Sequence, residues 1–253
     1  MSDGLSLVVT AYNEERHLPR TLAAAADLAD EVLVVIDPRT TDRSRDLAAA
    51  AGARVVEHRF EDCGAQCAWG VTAARHDRVL VLDADERPDR ALRSGIVAAL
   101  AERRHPAYAC RRANLAFGRR LRFGDWGRDR VIRLFDRRRA TIAGGMHWTV
   151  RADSVGLLPG VLEHDTLVDL ASYLPKLQAY AAADADGLVA AGRGAGALTA
   201  PARAAWRFVR AALLRGGALD GAAGLLVAGL AAWGTFLKWS LVWERTRGGV
   251  ERR

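Results

Sequence analysis

Short apolar runs rich in β-branched residues alternate with amphipathic stretches over the first hundred positions. Leu5-Ser6-Leu7-Val8-Val9-Thr10 ends at the polar Asn13-Glu14-Glu15, after which Leu18, Leu22 and Ala25 recur at helical spacing. The pattern predicts strand, loop, helix. Glu31 to Ile36 repeats the strand, Asp37-Pro38-Arg39-Thr40-Thr41-Asp42 the polar loop, and Ser44 to Ala51 the helix. Past Gly52, Arg54 to Glu57 reads as a third strand, Gln66 to Arg75 as a helix, and Val79 to Leu82 as a fourth strand. Strands alternating with helices imply a parallel sheet joined by right-handed crossovers.

The pattern changes after the fourth strand. From about Ala107 to His164 short apolar runs such as Val131-Ile132-Arg133-Leu134-Phe135 lie among arginines, and irregular, antiparallel pieces are expected. Beyond Thr166 helical periodicity returns through Leu170, Tyr173, Leu174, Leu177 and Tyr180, up to a break at Gly192 to Gly196. A helix starting near Pro201 then sets Trp206, Phe208, Val209, Leu213 and Leu214 among Arg203, Arg207, Arg210 and Arg215, a basic amphipathic pattern suited to an anionic membrane surface. Gly221 to Leu237 carries no charge. At roughly 17 residues and with four glycines, it sits at the lower limit for crossing a bilayer, and a buried hairpin or re-entrant segment is an equal reading. The expected division is 1–106, 107–168 and 169–253.

Composition narrows the class. A chain of 253 residues, 50% apolar and 26% charged, is an ordinary globular protein and not a disordered, collagenous or disulfide-stapled one. The formal charge is +7 and all but two of the 37 basic residues are arginine. That surplus suits phosphate-rich partners, although Arg, Ala and Gly usage is also what a G+C-rich genome produces. Three cysteines, Cys63, Cys67 and Cys110, are too few for a disulfide framework and point to a reducing compartment. Cys63 and Cys67 stand four apart, but no second pair at ligand spacing follows, so thiols are a better reading than a metal site. The first ten residues lack a secretory signal pattern, which places the expected catalytic part in the cytosol.

In open sheets of this kind ligands bind beyond the carboxyl ends of the strands. Thr10 to Glu14, Asp37 to Asp42 and Asp83-Ala84-Asp85-Glu86 occupy those places. No Gly-rich dinucleotide fingerprint or P-loop occurs there, which argues against both cofactor classes. Asp83 and Asp85, set two apart at the end of an apolar strand, are expected on one side of an extended segment. A hard cation, Mg²⁺ or Mn²⁺, is usually held by one or two carboxylates plus substrate phosphates, which a nucleoside diphosphate supplies. Asp37 reads equally as a turn residue and as an acceptor for a base or ribose.

Taken together, Val8 to Glu15, Asp37 to Asp42 and Leu82-Asp83-Ala84-Asp85-Glu86 resemble the family 2 glycosyltransferases. Arg133-Leu134-Phe135, the His147 region, Lys176 to Tyr180, Leu219-Asp220-Gly221 and Phe236-Leu237-Lys238 bring the chain closest to the branch acting on the lipopolysaccharide inner core. The resemblance implies an α/β fold of GT-A type, a Rossmann-like mixed sheet flanked by helices, with a C-terminal helical membrane-associated extension. It implies that Thr10, Tyr12, Glu14 and Asp37 hold the uridine of a UDP-sugar, that Gln66 faces the donor, that Asp83 contacts ribose or metal, and that Asp85 holds the metal. Two departures stand out. The loop that commonly reads Asp-Ser-Gly-Ser-Thr-Asp is Asp37-Pro38-Arg39-Thr40-Thr41-Asp42, and Trp148 follows His147 where relatives often have Glu.

The expected reaction is an inverting single displacement from a nucleotide-sugar to a lipid-linked or cell-envelope glycan, at the cytoplasmic face of the membrane, peripheral or shallowly inserted. Asp129 is the first expectation for the catalytic base and His147 the second, while His164 is a further group able to approach the metal. A silent relative that binds nucleotide-sugar without turnover is the alternative, and a basic nucleic-acid-binding protein a less favoured one. Nucleic acid is not an expected partner, since no readout module accompanies the arginines.

Overall fold

In the computed structural model, which describes residues 4–127, 129–146 and 148–247, the parallel half of the sheet is built on β1 (Leu5–Ala11). With β2 (Glu31–Ile36), β3 (Arg54–Glu57) and β4 (Arg78–Asp83) it gives the order β3-β2-β1-β4, all parallel. Helices α1 (Leu18–Ala25), α2 (Ser44–Ala50), α3 (Cys63–Ala73) and α4 (Arg90–Glu102) follow successive strands. Strands covered on both faces need apolar residues at both parities, which is why they read as continuous runs. Leu7, Val9, Val34, Ile36, Leu80 and Leu82 pack on one face with Leu18, Leu22, Leu92 and Ile96. Val8, Leu33, Val35, Val79 and Val81 pack on the other with Cys67, Val71 and Phe135.

α3 starts three residues before the position that periodicity suggests, because the Asp62 side chain caps it by accepting from the Ala65 N–H. Its Cys67 is buried, and burial pushes that thiol well up. At the amino end of the sheet Glu31 is buried but accepts from Ser6 Oγ at 2.6 Å, from the Arg54 guanidinium and from the Arg75 backbone N–H, so the carboxylate is fully compensated.

The mixed half follows. β5 (Glu86–Pro88) is separated from β4 by the two-residue turn Ala84-Asp85, and β6 (Ala107–Ala116), β7 (Arg119–Arg120) and β8 (Arg130–Asp136) come next. β9 (Ala140–Ala143) and β10 (Thr149–Ala152) form their own antiparallel pair, and β11 (Val155–Leu167) returns to the main sheet. The order is β3-β2-β1-β4-β8-β6-β11-β5, with β7 on β6. β8 lies antiparallel to β4, and this is where the sheet changes from parallel to mixed. The architecture is the helix-flanked mixed sheet of GT-A type that the resemblance implies.

The chain forms two compact units, 1–112 with 129–164, and 113–128 with 165–253. The expected boundaries after 106 and 168 do not coincide with them, because the boundaries fall inside β6 and β11, and the segment between β6 and β8 packs with the C-terminal helices. Those helices are α5 (Leu170–Ala190), α6 (Thr199–Val209) and α7 (Gly221–Arg247). Leu121, Leu167 and Ala223 share a core with Trp126 and Tyr173, and the Asp220 carboxylate accepts from the backbone N–H groups of Arg122 and Phe123. α7 continues past the uncharged run through Lys238 to Arg247, so at 27 residues it is about 40 Å long. The segment Gly217–Arg247 is long and apolar enough to cross a membrane, and 17% of its most apolar stretch is buried within the protein.

Candidate functional site

The site is set by β1 lying between β2 and β4. Register places Thr10 opposite Asp83 on β4 and Ala11 opposite Ile36 on β2, so Thr10, Asp37 and Asp83 converge at one carboxyl edge. Just beyond β1, Asn13 adopts a left-handed conformation at φ 52°. Its Oδ1 accepts from the Thr41 N–H at 2.9 Å, while the Glu14 N–H donates to Ser44 Oγ at 2.8 Å. These bonds tie the loop after β1 to the loop after β2. The Tyr12 ring is half exposed above them, and the Glu14 carboxylate lies 2.7 Å from His17 Nδ1.

Asp37 is 1% exposed, and both its oxygens are occupied. Oδ1 accepts from the Arg39 N–H and Nε at 2.8 and 2.9 Å, and Oδ2 from Arg39 Nη2 and the Phe60 N–H at 2.6 and 2.9 Å. The Arg39 side chain holds the carboxyl well below the usual carboxylate range, against the opposing effect of burial. Four donors fill the acceptor sites of a carboxylate. The guanidinium that the altered loop supplies is therefore on Asp37, and it lies 5.8 Å from the centre of the Tyr12 ring.

β4 ends at Asp83, and Asp85 sits in the following turn, so the two carboxylates are not carried on one side of an extended strand. Asp83 nevertheless feels the negative charge of Asp85. Asp83 Oδ2 accepts from Arg133 Nη2 at 2.6 Å, and the same nitrogen lies 2.6 Å from Glu86 Oε1. Glu86 is fully buried, accepts from the Asp83 backbone N–H and meets Arg112 Nη1 at 3.3 Å. Burial would raise Glu86, but Arg133 and its neighbours hold it below the ordinary range. Burial, with the negative charges of Glu86 and Asp85, leaves Asp83 above that range despite Arg133. Arg133 itself is 5% exposed and its guanidinium lies 4.7 Å from the centre of the Trp148 ring.

β11 pairs antiparallel with β5, His164 opposite Glu86, which brings His164 Nε2 to 3.4 Å from Asp85 Oδ1. Among the described residues no group of three or more Asp, Glu, His or Cys side chains closes around one point. Asp83 and Asp85 are two oxygen donors of the kind a hard cation takes, with no closed protein cage around them among the described residues. Arg133 takes one oxygen of Asp83, and Asp85 lies beside an imidazole.

Two expected residues are engaged by neighbouring side chains. Gln66 is buried, donates from Nε2 to the His58 carbonyl and meets His58 Nδ1 through Oε1 at 2.8 Å, so its amide is committed to a histidine stacked on Trp69. Asp129 is bound by Arg112 through Nε at 2.8 Å and Nη2 at 2.6 Å. His147 lies outside the described residues. Arg133, Glu86 and Trp148 received no role from the sequence. The available signal was an arginine in the otherwise apolar run Val131-Ile132-Arg133-Leu134-Phe135, since an arginine among core positions requires a carboxylate partner.

The model of glycosyl transferase family 2 matches residues 6–150. An uncharacterized glycosyltransferase of Rickettsia typhi is 24% identical over 228 residues, 83% of this chain and 77% of that protein. A TPR repeat-containing protein of Synechococcus elongatus is 39% identical over 83 residues, 32% of this chain and only 20% of its own length. Among solved structures, glucosyl-3-phosphoglycerate synthase from Mycobacterium tuberculosis, in complex with Mn²⁺, UDP and phosphoglyceric acid, superposes with a TM-score of 0.37 at 23% identity, covering 44% of this chain and 43% of that one. The matched segment contains the whole carboxyl edge described above, from Thr10 to Arg133, and the chain belongs to the family 2 glycosyltransferases.

Proposed function

We propose that this chain is an inverting, metal-dependent glycosyltransferase that moves a sugar from a UDP-linked donor to a lipid-linked or cell-envelope glycan at the cytoplasmic face of a membrane, where it is peripheral or shallowly inserted. The observation that carries the reading is the convergence of Thr10, Asp37 and Asp83 at the edge where β1 lies between β2 and β4. Ligands of open α/β sheets bind at such an edge, and an acidic group after each outer strand suits a nucleotide at one and a diphosphate at the other.

Thr10, Tyr12 and Glu14 frame the nucleoside, with the exposed Tyr12 ring offering a face for the base. Asp83 and Asp85, with His164 beside Asp85, would hold Mg²⁺ or Mn²⁺. When bound, that ion neutralises the leaving diphosphate. Arg133 fixes the Asp83 carboxylate from behind and Glu86 fixes Arg133, so the side chain is oriented before substrate arrives. The acceptor hydroxyl requires a base. Asp129 has to leave its pair with Arg112 to take a proton, and His147 is the alternative, so the pH–rate profiles of Asp129→Asn and His147→Gln decide between them.

The test is UDP release by the full chain with UDP-sugars, Mn²⁺ and envelope glycolipid extract. Metal-dependent release that needs the extract supports the reading. Tight binding of UDP-sugars without turnover by any acceptor would assign the chain to the silent class, and failure to bind any nucleotide-sugar would remove the reading altogether.

A further inference from the structure

Three arginines converge on one carboxylate in the unit formed by 113–128 and the C-terminal helices. Asp125 is 12% exposed and meets Arg207 Nη1 at 2.7 Å, Arg210 Nη2 at 3.4 Å and Arg215 Nη1. The convergence depends on a local departure from α-helical geometry. After α6 the chain widens into a π-helical turn, Arg210–Leu214, in which the Arg215 N–H donates to the Arg210 carbonyl at 2.9 Å. That spacing carries residues five apart to the same side, whereas an α-helix would separate them. Such turns are frequent at functional sites.

Asp125 neutralises one of the three guanidiniums, leaving two positive charges in excess over the shared carboxylate. The Asp220 carboxylate is engaged by the Arg122 and Phe123 backbone N–H groups. The arginine side chains remain 30%, 30% and 49% exposed, so their remaining N–H groups face water. The same stretch of sequence holds large apolar side chains that are mostly exposed: Trp206 is 59% exposed, Leu213 64%, Leu214 66% and Leu219 72%. An excess of arginine charge accompanied by exposed leucines and a tryptophan matches one chemistry, a phosphate layer above hydrocarbon. A soluble anion needs no leucines, and an acidic protein would leave them in water.

We infer that Arg207, Arg210 and Arg215, gathered on Asp125, form a binding site for the phosphate groups of anionic membrane lipids, with Leu213, Leu214 and Leu219 entering the bilayer beside it. The inference rests on the membrane association proposed above and adds the residues and lipid chemistry that select the surface. Arginine is suited to the task because its planar fork binds a phosphate through two N–H groups while a third still holds Asp125. Asp125 is a positioning residue: it overcomes the mutual repulsion of the three cations in the absence of lipid.

The experiment is co-sedimentation of the full chain with vesicles of phosphatidylcholine alone and of phosphatidylcholine with phosphatidylglycerol. The wild-type protein is expected to prefer the anionic vesicles by about tenfold or more at low salt, the preference shrinking as salt rises. Arg207→Gln/Arg210→Gln/Arg215→Gln is expected to lose that preference and keep the weaker binding common to both vesicles. Leu213→Ser/Leu214→Ser is expected to weaken binding to both. If the triple variant fails to fold by circular dichroism, the single exposed change Arg215→Gln carries the test, with an expected loss of about threefold in the preference. Equal binding of anionic vesicles by folded arginine variants and wild type would overturn the inference while leaving membrane association intact. Loss of the preference in millimolar inorganic phosphate at constant ionic strength would assign the arginines to a soluble anion and also overturn it. Wild-type protein that binds neither vesicle would remove the membrane reading itself, and this inference with it.

Discussion

The guanidinium of Arg133 lies against the ring of Trp148, 4.7 Å from its centre. Trp148 is one of the two departures from the pattern of the resemblance. It cannot take a proton, but it packs on the guanidinium that binds Asp83 and Glu86. Trp148→Ala is expected to lower stability by roughly 1–3 kcal/mol, combining lost apolar burial and the lost cation–π contact. Urea unfolding followed by circular dichroism measures it. A change within error would mean that the ring does not support the cluster.

Arg133 is the more critical of the two. Replacing it with Met leaves Glu86 fully buried with only Arg112 and a backbone N–H, and strips Asp83 of its partner. Breaking a buried ion pair from one side costs about 3–5 kcal/mol. Arg133→Met is therefore expected to unfold at markedly lower denaturant, and a wild-type midpoint would show that the cluster is wet enough to lose its cation freely.

Asp85 is expected to matter for turnover and little for folding. Asp85→Asn keeps the shape and the nearby His164, but removes the charge that would hold a cation. Metal-dependent UDP release is expected to fall by about two orders of magnitude or more, with nearly unchanged thermal unfolding. Full turnover in this variant would separate Asp85 from the metal.

Arg39 occupies the carboxylate that the resemblance assigns to the base. Arg39→Ser frees acceptor capacity on Asp37, so uridine nucleotides are expected to bind about three- to tenfold more tightly by calorimetry, at a stability cost of roughly 1–3 kcal/mol from the weakened buried carboxylate. Weaker UDP binding would show instead that Arg39 itself contacts the nucleotide.

The acid response of Asp37 follows from the same bonds. Its folded pKa is depressed, chiefly by the Arg39 side chain, below an unfolded value of about 3.9. The stabilisation is therefore present in full above that value and is lost as pH falls below it toward the folded pKa. Between about pH 5 and pH 2 the wild-type protein is expected to lose stability more steeply than Asp37→Asn. Parallel curves would mean that the carboxylate is not held in its ionised form.

Much of the carboxyl edge was legible in the chain. Apolar runs buried on both faces cannot be hidden in a sequence, and polar groups that follow such runs fall at the ligand-binding edge of a parallel sheet, so β1 to β4 and the positions of Thr10, Asp37 and Asp83 could be read directly. The uncharged run Gly221 to Leu237 did not give the length of α7, because charge marks where a helix meets water and not where its backbone hydrogen bonds stop.

Partnership was decided by tertiary structure alone. Spacing identifies a carboxylate but not the cation that will reach it from a distant strand: Arg133 reaches Asp83 from fifty residues away, and His164 arrives beside Asp85 only because β11 pairs with β5. Gln66 and Asp129, polar at expected positions, were taken by His58 and Arg112 for the same reason. The sequence determined which groups could carry charge at the edge of the sheet. The fold determined which of them would be compensated, because hydrogen bonds and ion pairs act over a few ångströms in space and are indifferent to separation along the chain.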